Sequence, residues 1–158
     1  MLMNLREQPY RLFAVLTIAL FLLINFGFEV FARLWFGRNI LLEAVGETFY
    51  YSFAQPFGSL FLLVPIALLG WMSASLSVKK TLKCGLILFC AGAIALGLIY
   101  FWGHMGSQLA MQKHKWTASA LSVGMVPFKS IPVLIVCLIA RLIMGRNAKD
   151  TKVLDRVS

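Results

Sequence analysis

Two charged residues, Glu29 and Lys129, lie inside long apolar stretches of the sequence. An ionisable side chain in a membrane span is costly and usually faces protein or water, so each is a candidate for a proton- or cation-coupled site. Lys129 also lies between Pro127 and Pro132, which remove backbone donors and leave carbonyls that an ammonium can bind. At about 1.5 Å per residue the two charges fall at similar depths, which predicts a Glu29–Lys129 ion pair.

Arg33 is a competing partner for Glu29. It follows Glu29 by four residues, so the two side chains share one face of a helix. In this alternative Glu29 lies near the end of its span and pairs locally, while Lys129 extends its ammonium toward the membrane surface. The sequence leaves both arrangements open, and with them the choice between a functional and a structural role for these charges.

A second acidic pair, Glu43 and Glu47, follows the first apolar stretch. Asn39 can cap a short helix here, and the two carboxylates then share one face at a spacing of four residues. Several apolar side chains lie around the rest of this helix. The pattern predicts a short helix lying on the outer membrane surface.

Histidine and methionine recur between the third and fourth apolar stretches. His104 and His114 bound a predicted outer loop that also holds two methionines, and these ligand types suit copper(I). Two lysines beside His114 would repel a cation, and neither histidine is predicted deep within a span, as haem ligation requires. We therefore predict no metal and no cofactor.

Sequence motifs for catalysis are missing. The sequence contains no His-Glu-x-x-His, no Gly-x-Ser-x-Gly and no P-loop. The cysteines Cys84, Cys90 and Cys137 form no C-x-x-C pair, and the only aspartates, Asp150 and Asp155, are near the C-terminus. An aspartyl protease within the membrane is thereby excluded. These observations favour a protein that is not an enzyme.

The composition indicates which elements must position these residues. Of 158 residues, 60% are apolar and only 13% are charged, a balance typical of a membrane protein. Four stretches, at about residues 12–35, 57–76, 85–103 and 120–144, are long enough to cross a bilayer as helices. The first is too long for the core of a signal peptide. We predict a single polytopic domain over residues 1–158: an all-α integral membrane protein with four transmembrane helices in an antiparallel bundle and one short interfacial helix.

The distribution of lysine and arginine predicts the orientation. Ten of these residues fall on the side of the termini and the second loop, and four on the other side. The excess predicts that both termini are cytoplasmic in a plasma membrane, most simply a bacterial inner membrane. Lys79, Lys80, Lys83 and the basic tail 145–158 would then face anionic lipids. This accounts for the net charge of +9 without nucleic acid as a partner.

Small residues spaced four apart mark expected helix contacts. Ala93 and Gly97 form such a pair in the third stretch, and Ala120 and Gly124 form one in the fourth. Small side chains let helix backbones approach closely in lipid. The third and fourth helices are therefore predicted to pack together at these residues.

Three functions remain compatible with the sequence. The leading hypothesis is a small non-catalytic inner-membrane protein that binds another membrane component, such as an accessory subunit or an immunity-type protein. Its partner would be another membrane protein. The alternatives are a small ion- or proton-coupled transporter that uses Glu29 and Lys129, and a membrane enzyme that acts on lipid.

Overall fold

The computed structural model describes the backbone of residues 8–36, 40–54 and 56–154, with side chains as far as residue 146. These residues form seven α-helices and one π-helical segment, and they contain no strand. The elements are α1 (Pro9–Phe21), the π-helical segment (Leu22–Gly27), α2 (Phe28–Trp35), α3 (Leu41–Ala54), α4 (Pro56–Lys79), α5 (Leu82–Gln112), α6 (Trp116–Gly124) and α7 (Val126–Leu154).

Four helical spans in the described part of the chain are long and apolar enough to cross a membrane: Pro9–Trp35, Pro56–Lys79, Leu82–Gln112 and Trp116–Arg146. The prediction of an all-α protein with four membrane spans is confirmed. The third span continues to Gln112, well past its predicted end near residue 103, because hydropathy marks only the apolar part of a helix. The histidine-containing segment was predicted to be a loop, and most of it is helical instead.

Local chemistry accounts for several helix ends. Pro9 and Pro56 stand at the first positions of α1 and α4, where a missing N–H costs nothing. Thr81 caps α5, because its hydroxyl accepts a hydrogen bond of 3.3 Å from the backbone N–H of Cys84. The fourth span is interrupted at Met125, between α6 and α7. Pro127 follows two residues later in the first turn of α7, where proline is tolerated because the missing N–H would have no partner within the helix.

Helix α4 is central to the packing. It lies against α1, α5 and α7, while α5 also contacts α2, α6 and α7. Helix α3 packs on α2 and α4. We refer to the end of the molecule at which α3 lies as the α3 end. Away from the α3 end most of the buried side chains are apolar, and they include Phe13, Ile66, Leu69, Met72, Leu76, Leu88, Phe89 and Leu96. Thr17, Ser73, Ser75 and Ser130 are buried polar side chains, and Oγ of Ser73 has no hydrogen-bond partner among the described residues.

Two glycines allow the helices to approach closely. A Cβ at Gly85 of α5 would lie 2.5 Å from the carbonyl oxygen of Ser73 on α4, and it would also overlap the hydroxyl of Ser77. A Cβ at Gly70 of α4 would overlap the hydroxyl of Thr17 on α1. The spans therefore meet at small residues, as expected where burial from water cannot drive helices together.

The predicted contact between the third and fourth spans exists, but other residues form it. Glycines Gly103 and Gly106 of α5 approach Ser122 and Val126 of the fourth span. The hydroxyl of Ser122 donates a 2.9 Å hydrogen bond to the Gly103 carbonyl, which closes this contact.

The small residues named in the prediction lie elsewhere. A Cβ at Gly97 would be 3.9 Å from Phe28 of the first span, and Ala93 and Gly97 together line an apolar groove beside that span. Ala120 and Gly124 are exposed, and a Cβ at Gly124 would meet nothing within 4 Å. Small size permits a close approach, but it does not select which neighbouring helix makes it.

Candidate ligand-binding cavity

A cavity of about 500 Å³, lined by many polar side chains, lies at the α3 end of the molecule. Every element from the π-helical segment to α6 contributes to its wall. Its lining residues are Asn25, Glu29, Arg33, Tyr51, Ser52, Gly58, Ser59, Phe61, Leu62, His104, Ser107, Gln108, Met111, Trp116, Ser119, Ala120, Val123 and Gly124. Ten of these have polar or charged side chains, in a chain that is 60% apolar. Such a concentration of polar groups within a helical bundle is unusual and defines the candidate site.

An ion network forms one wall of the cavity. Arg33 donates to Glu29 Oε1 from Nη2 at 2.8 Å and from Nε at 3.2 Å, and its Nη1 donates to Glu47 of α3. The Arg33 side chain is only 9% exposed, whereas that of Glu47 is 49% exposed. The guanidinium also lies over the ring of Tyr51, 5.5 Å from its centroid. The network thus fixes α3 against the first span.

Of the two partners expected for Glu29, the structure brings Arg33 to it and not Lys129. Lys129 lies on α7 with an exposed side chain, and it forms no ion pair among the described residues. The predicted Glu29–Lys129 ion pair is therefore absent. The depth estimate could not reveal this, because two residues at one depth can still lie on different sides of a bundle.

Two buried polar atoms at the cavity have no hydrogen-bond partner among the described residues. They are Oδ1 of Asn25 and Nε2 of His104, and each of these residues is only 3% exposed. Asn25 lies in the π-helical segment, one of the rare wide turns that recur at functional sites. His104 lies within α5, so its predicted place in an outer loop is wrong. Buried polar atoms that lack partners are costly, and each calls for an explanation.

Serine side chains hold the remaining walls together. Ser107 of α5 and Ser119 of α6 share a hydrogen bond of 2.8 Å between their hydroxyls. On the opposite wall Ser59 of α4 donates to the carbonyl of Ser52 on α3, at 3.3 Å. Gln108 is buried beside Ser107 and makes no side-chain hydrogen bond to the described residues. Its amide is thus a further polar group at the cavity.

The cavity reaches the surface between α4 and α6. Gly58 of α4 and the predicted packing residues Ala120 and Gly124 of α6 line it and are exposed. Trp116 and Phe61 also line it, with 63% and 44% of their surfaces exposed. Toward the interior the lining ends at Leu62 and His104. One turn beyond His104, Tyr100 donates a hydrogen bond to the Leu62 carbonyl, and the apolar core follows.

The other residues singled out from the sequence lie outside the cavity. Glu43 is exposed on α3 and forms no ion pair among the described residues, so only Glu47 of the acidic pair joins the network. His114 is exposed in the turn after α5, with a φ of 54°. The predicted helix cap Asn39 and the charges of the basic tail beyond Arg146 lie outside the described residues and side chains, and Arg146 is exposed. Lys79 and Lys83 are exposed at the turn between α4 and α5.

Several cavity residues escaped the sequence analysis, notably Asn25, Ser107, Gln108 and Ser119. The spacing of some of these residues along the sequence could have identified them. Asn25 precedes Glu29 by four residues, and Ser107 and Gln108 follow His104 by three and four, so each set is helically spaced. Because the third helix is predicted to end near residue 103, Ser107 and Gln108 are not assigned to it from the sequence.

The chemistry of the cavity must be inferred from its own residues. No protein-family model, curated protein or solved structure matches the chain. Among the described residues no three His, Cys, Asp or Glu side chains are grouped so that they could hold a metal ion. The cavity instead offers hydrogen-bond donors and acceptors, one carboxylate and one guanidinium. These groups suit the binding of a small polar molecule or of the polar end of an amphiphile.

Proposed function

We propose that this protein is a small non-catalytic membrane protein that acts by binding another membrane component, and that the cavity at the α3 end is its binding site. The observation that carries the proposal is the cavity itself, in which Glu29, Arg33 and two unpartnered buried polar groups meet inside an apolar bundle. A ligand seated there would complete the missing hydrogen bonds.

Asn25 and His104 each bury a polar atom that has no partner among the described residues. A buried polar group without a partner costs about 1–3 kcal/mol relative to a paired one. An apolar side chain at either position would spare that cost. Retaining both beside a cavity of about 500 Å³ supports a role in binding.

We further propose how the protein is oriented. The four spans form an antiparallel bundle in a plasma membrane, such as a bacterial inner membrane, with both termini in the cytoplasm and α3 along the outer surface. The excess of basic residues beside the termini supports this orientation. The 3.3 Å hydrogen bond from Gln112, at the end of α5, to the carbonyl of Phe36 supports the bundle. Exposed Leu41, Leu42 and Phe53 support an interfacial α3.

In this orientation the two ends of the bundle have different partners. Lys79, Lys80 and Lys83, together with the C-terminal tail, attract anionic lipids of the cytoplasmic leaflet, by about 1 kcal/mol for each basic residue. The cavity opens at the opposite end, toward the outer leaflet. A partner that is itself a membrane protein would contact the exposed apolar side chains around this opening.

A transporter is the second candidate, and one observation favours it. Two of the four spans are irregular beside the cavity, the first at the π-helical segment and the fourth at Met125. Interrupted helices at a binding site are typical of transporters. A proton- or cation-coupled mechanism would use Glu29, whereas Lys129 lies outside the cavity. Transport requires access from both sides, and the apolar core beyond Tyr100 and Leu62 closes one of them in this conformation.

A cavity-filling substitution tests the binding proposal. Gly124→Leu introduces a large side chain at the opening of the cavity, where a Cβ meets open space, so the fold should tolerate it. Gly46→Leu on α3 is the matched control, because its Cβ also meets open space but Gly46 does not line the cavity.

Native mass spectrometry of protein purified in mild detergent provides the readout. We expect a bound small molecule or lipid on the wild-type chain and on Gly46→Leu, and loss of that mass from Gly124→Leu. Equal retention by all three proteins, or an unliganded wild-type protein, would contradict the proposal.

A further inference from the structure

The ion network of Glu29, Arg33 and Glu47, which forms one wall of the cavity, carries an excess of one negative charge. Glu29 and Glu47 both bind the same guanidinium, that of Arg33, and no other ion pair involves them among the described residues. With histidine counted as neutral, two carboxylates oppose one cation. Arg33 is therefore already engaged by two anions, and the site is poorly suited to a phosphate or a ligand carboxylate.

The groups that lack partners are mainly acceptors. Arg33 engages Glu29 through Oε1 alone, so Oε2 accepts no hydrogen bond from the described residues. Oδ1 of Asn25, one helical turn before Glu29 along the first span, is buried and has no partner in the described part of the chain. His104 adds a buried ring nitrogen, Nε2, that also lacks a partner. A ligand that carries several N–H donors on one centre matches the two oxygens, Glu29 Oε2 and Asn25 Oδ1, in hydrogen-bonding type.

Aromatic rings complete the surroundings. Trp116 and Phe61 line the cavity near its opening, and Tyr51 lies beside Arg33. The face of an aromatic ring attracts a cation, with tryptophan the strongest of the three.

Building on the proposed function, we propose that the cavity binds the protonated amine of its ligand, with the ammonium at Glu29 and Asn25. A primary ammonium matches the site in charge, because it neutralises the excess carboxylate, and in donors, because it carries three N–H groups. A sugar supplies the donors without the charge. A quaternary ammonium supplies the charge without the donors. The amine belongs either to a lipid headgroup, reached through the opening between α4 and α6, or to a free small molecule.

Thermal unfolding of the full chain in nanodiscs tests this assignment. The lipid probes are phosphatidylcholine alone and phosphatidylcholine mixed with phosphatidylethanolamine or with phosphatidylglycerol. The free probes are ethanolamine and ethylene glycol. Ethanolamine carries an ammonium group where ethylene glycol carries a hydroxyl group. We expect phosphatidylethanolamine or ethanolamine to raise the unfolding temperature, and phosphatidylglycerol and ethylene glycol to leave it unchanged. A response to both amines indicates that the amine alone suffices, and a response to the lipid alone identifies a headgroup.

Two variants tie the effect to the site. Glu29→Gln removes the charge and should lower the apparent affinity for the amine roughly tenfold or more, as expected for losing a charge-assisted hydrogen bond. The affinity is obtained from the amine concentration needed to raise the unfolding temperature. Glu43→Gln is the matched control on exposed α3 and should respond like the wild-type chain. Asn25→Leu should raise the unfolding temperature of the ligand-free protein, since it removes an unpartnered buried acceptor, and yet weaken the response to the amine.

The outcomes separate this inference from the proposed function. If phosphatidylglycerol or ethylene glycol stabilises the protein in a way that Gly124→Leu abolishes, while both amines fail, the amine is wrong and the binding cavity stands. If Glu29→Gln responds to amines as the wild-type chain does, the amine site is also wrong. If no probe acts and native mass spectrometry finds no ligand that Gly124→Leu removes, both proposals fail.

Discussion

Arg33 on the first span binds Glu47 on α3, and this ion pair joins two helices across a stretch of fourteen residues. Through the same guanidinium Arg33 holds Glu29 at the cavity wall. Because α3 contributes Tyr51 and Ser52 to the cavity, the position of this wall depends on the Arg33–Glu47 contact.

Arg33→Met should destabilise the protein substantially. It removes the partner of Glu29, whose side chain is only 21% exposed, and leaves a carboxylate unpaired inside the bundle. Losing one member of a buried pair costs about 3–5 kcal/mol in the free energy of unfolding, with the lower end expected for this partly exposed carboxylate. Glu47→Gln should cost about 1 kcal/mol or less, because that side chain is half exposed. Unfolding in detergent measures both, and equal losses would contradict the network described above.

A double-mutant cycle distinguishes the two partners considered for Glu29. Glu29→Gln and Lys129→Met should add to within about 0.3–0.5 kcal/mol, because Lys129 is exposed and forms no ion pair with Glu29. Glu29→Gln and Arg33→Met should deviate from additivity by more than that. The measurement is the free energy of unfolding of each single and double variant. Coupling of Glu29 to Lys129 in place of Arg33 would reverse the structural assignment.

Gly85→Ala should lower the unfolding temperature. Its Cβ would lie 2.5 Å from the Ser73 carbonyl oxygen, and a backbone atom cannot rotate aside as a side chain does. Overpacking of this kind costs about 1–3 kcal/mol. Gly145→Ala is the matched control, since its Cβ meets open space, and alanine in a helix is favoured over glycine by about 0.5–1 kcal/mol. Similar behaviour of the two variants would count against the close contact of α4 and α5.

Labelling of introduced cysteines tests the proposed orientation. The background is a chain whose three native cysteines are replaced by alanine. Lys113 follows α5 and Lys79 ends α4, and both are exposed. An impermeant thiol reagent applied to intact cells should label Lys113→Cys and not Lys79→Cys, because only the α3 end is expected to face outward. The opposite pattern would reverse the orientation, and labelling of both would indicate leakage or a different topology.

Local patterns were sufficient to predict part of the site. Glu29 and Arg33 are four residues apart on one helix, so their contact follows from helical geometry alone. Glu47 was recognised as a candidate, but its bond to Arg33 depends on how α3 returns to the first span. His104 was expected in a loop, since hydropathy falls near residue 103, whereas α5 continues to Gln112 and buries it.

The sequence by itself determined that the chain is helical and has four spans long enough to cross a membrane, because length and apolar content are properties of each segment alone. Only the tertiary structure decided that Asn25, Glu29, His104 and Gln108 meet at one cavity and that Lys129 does not. Which side chains meet depends on the rotation of each helix about its axis. The π-helical segment Leu22–Gly27 changes that rotation within the first span, and a hydropathy profile carries no record of it.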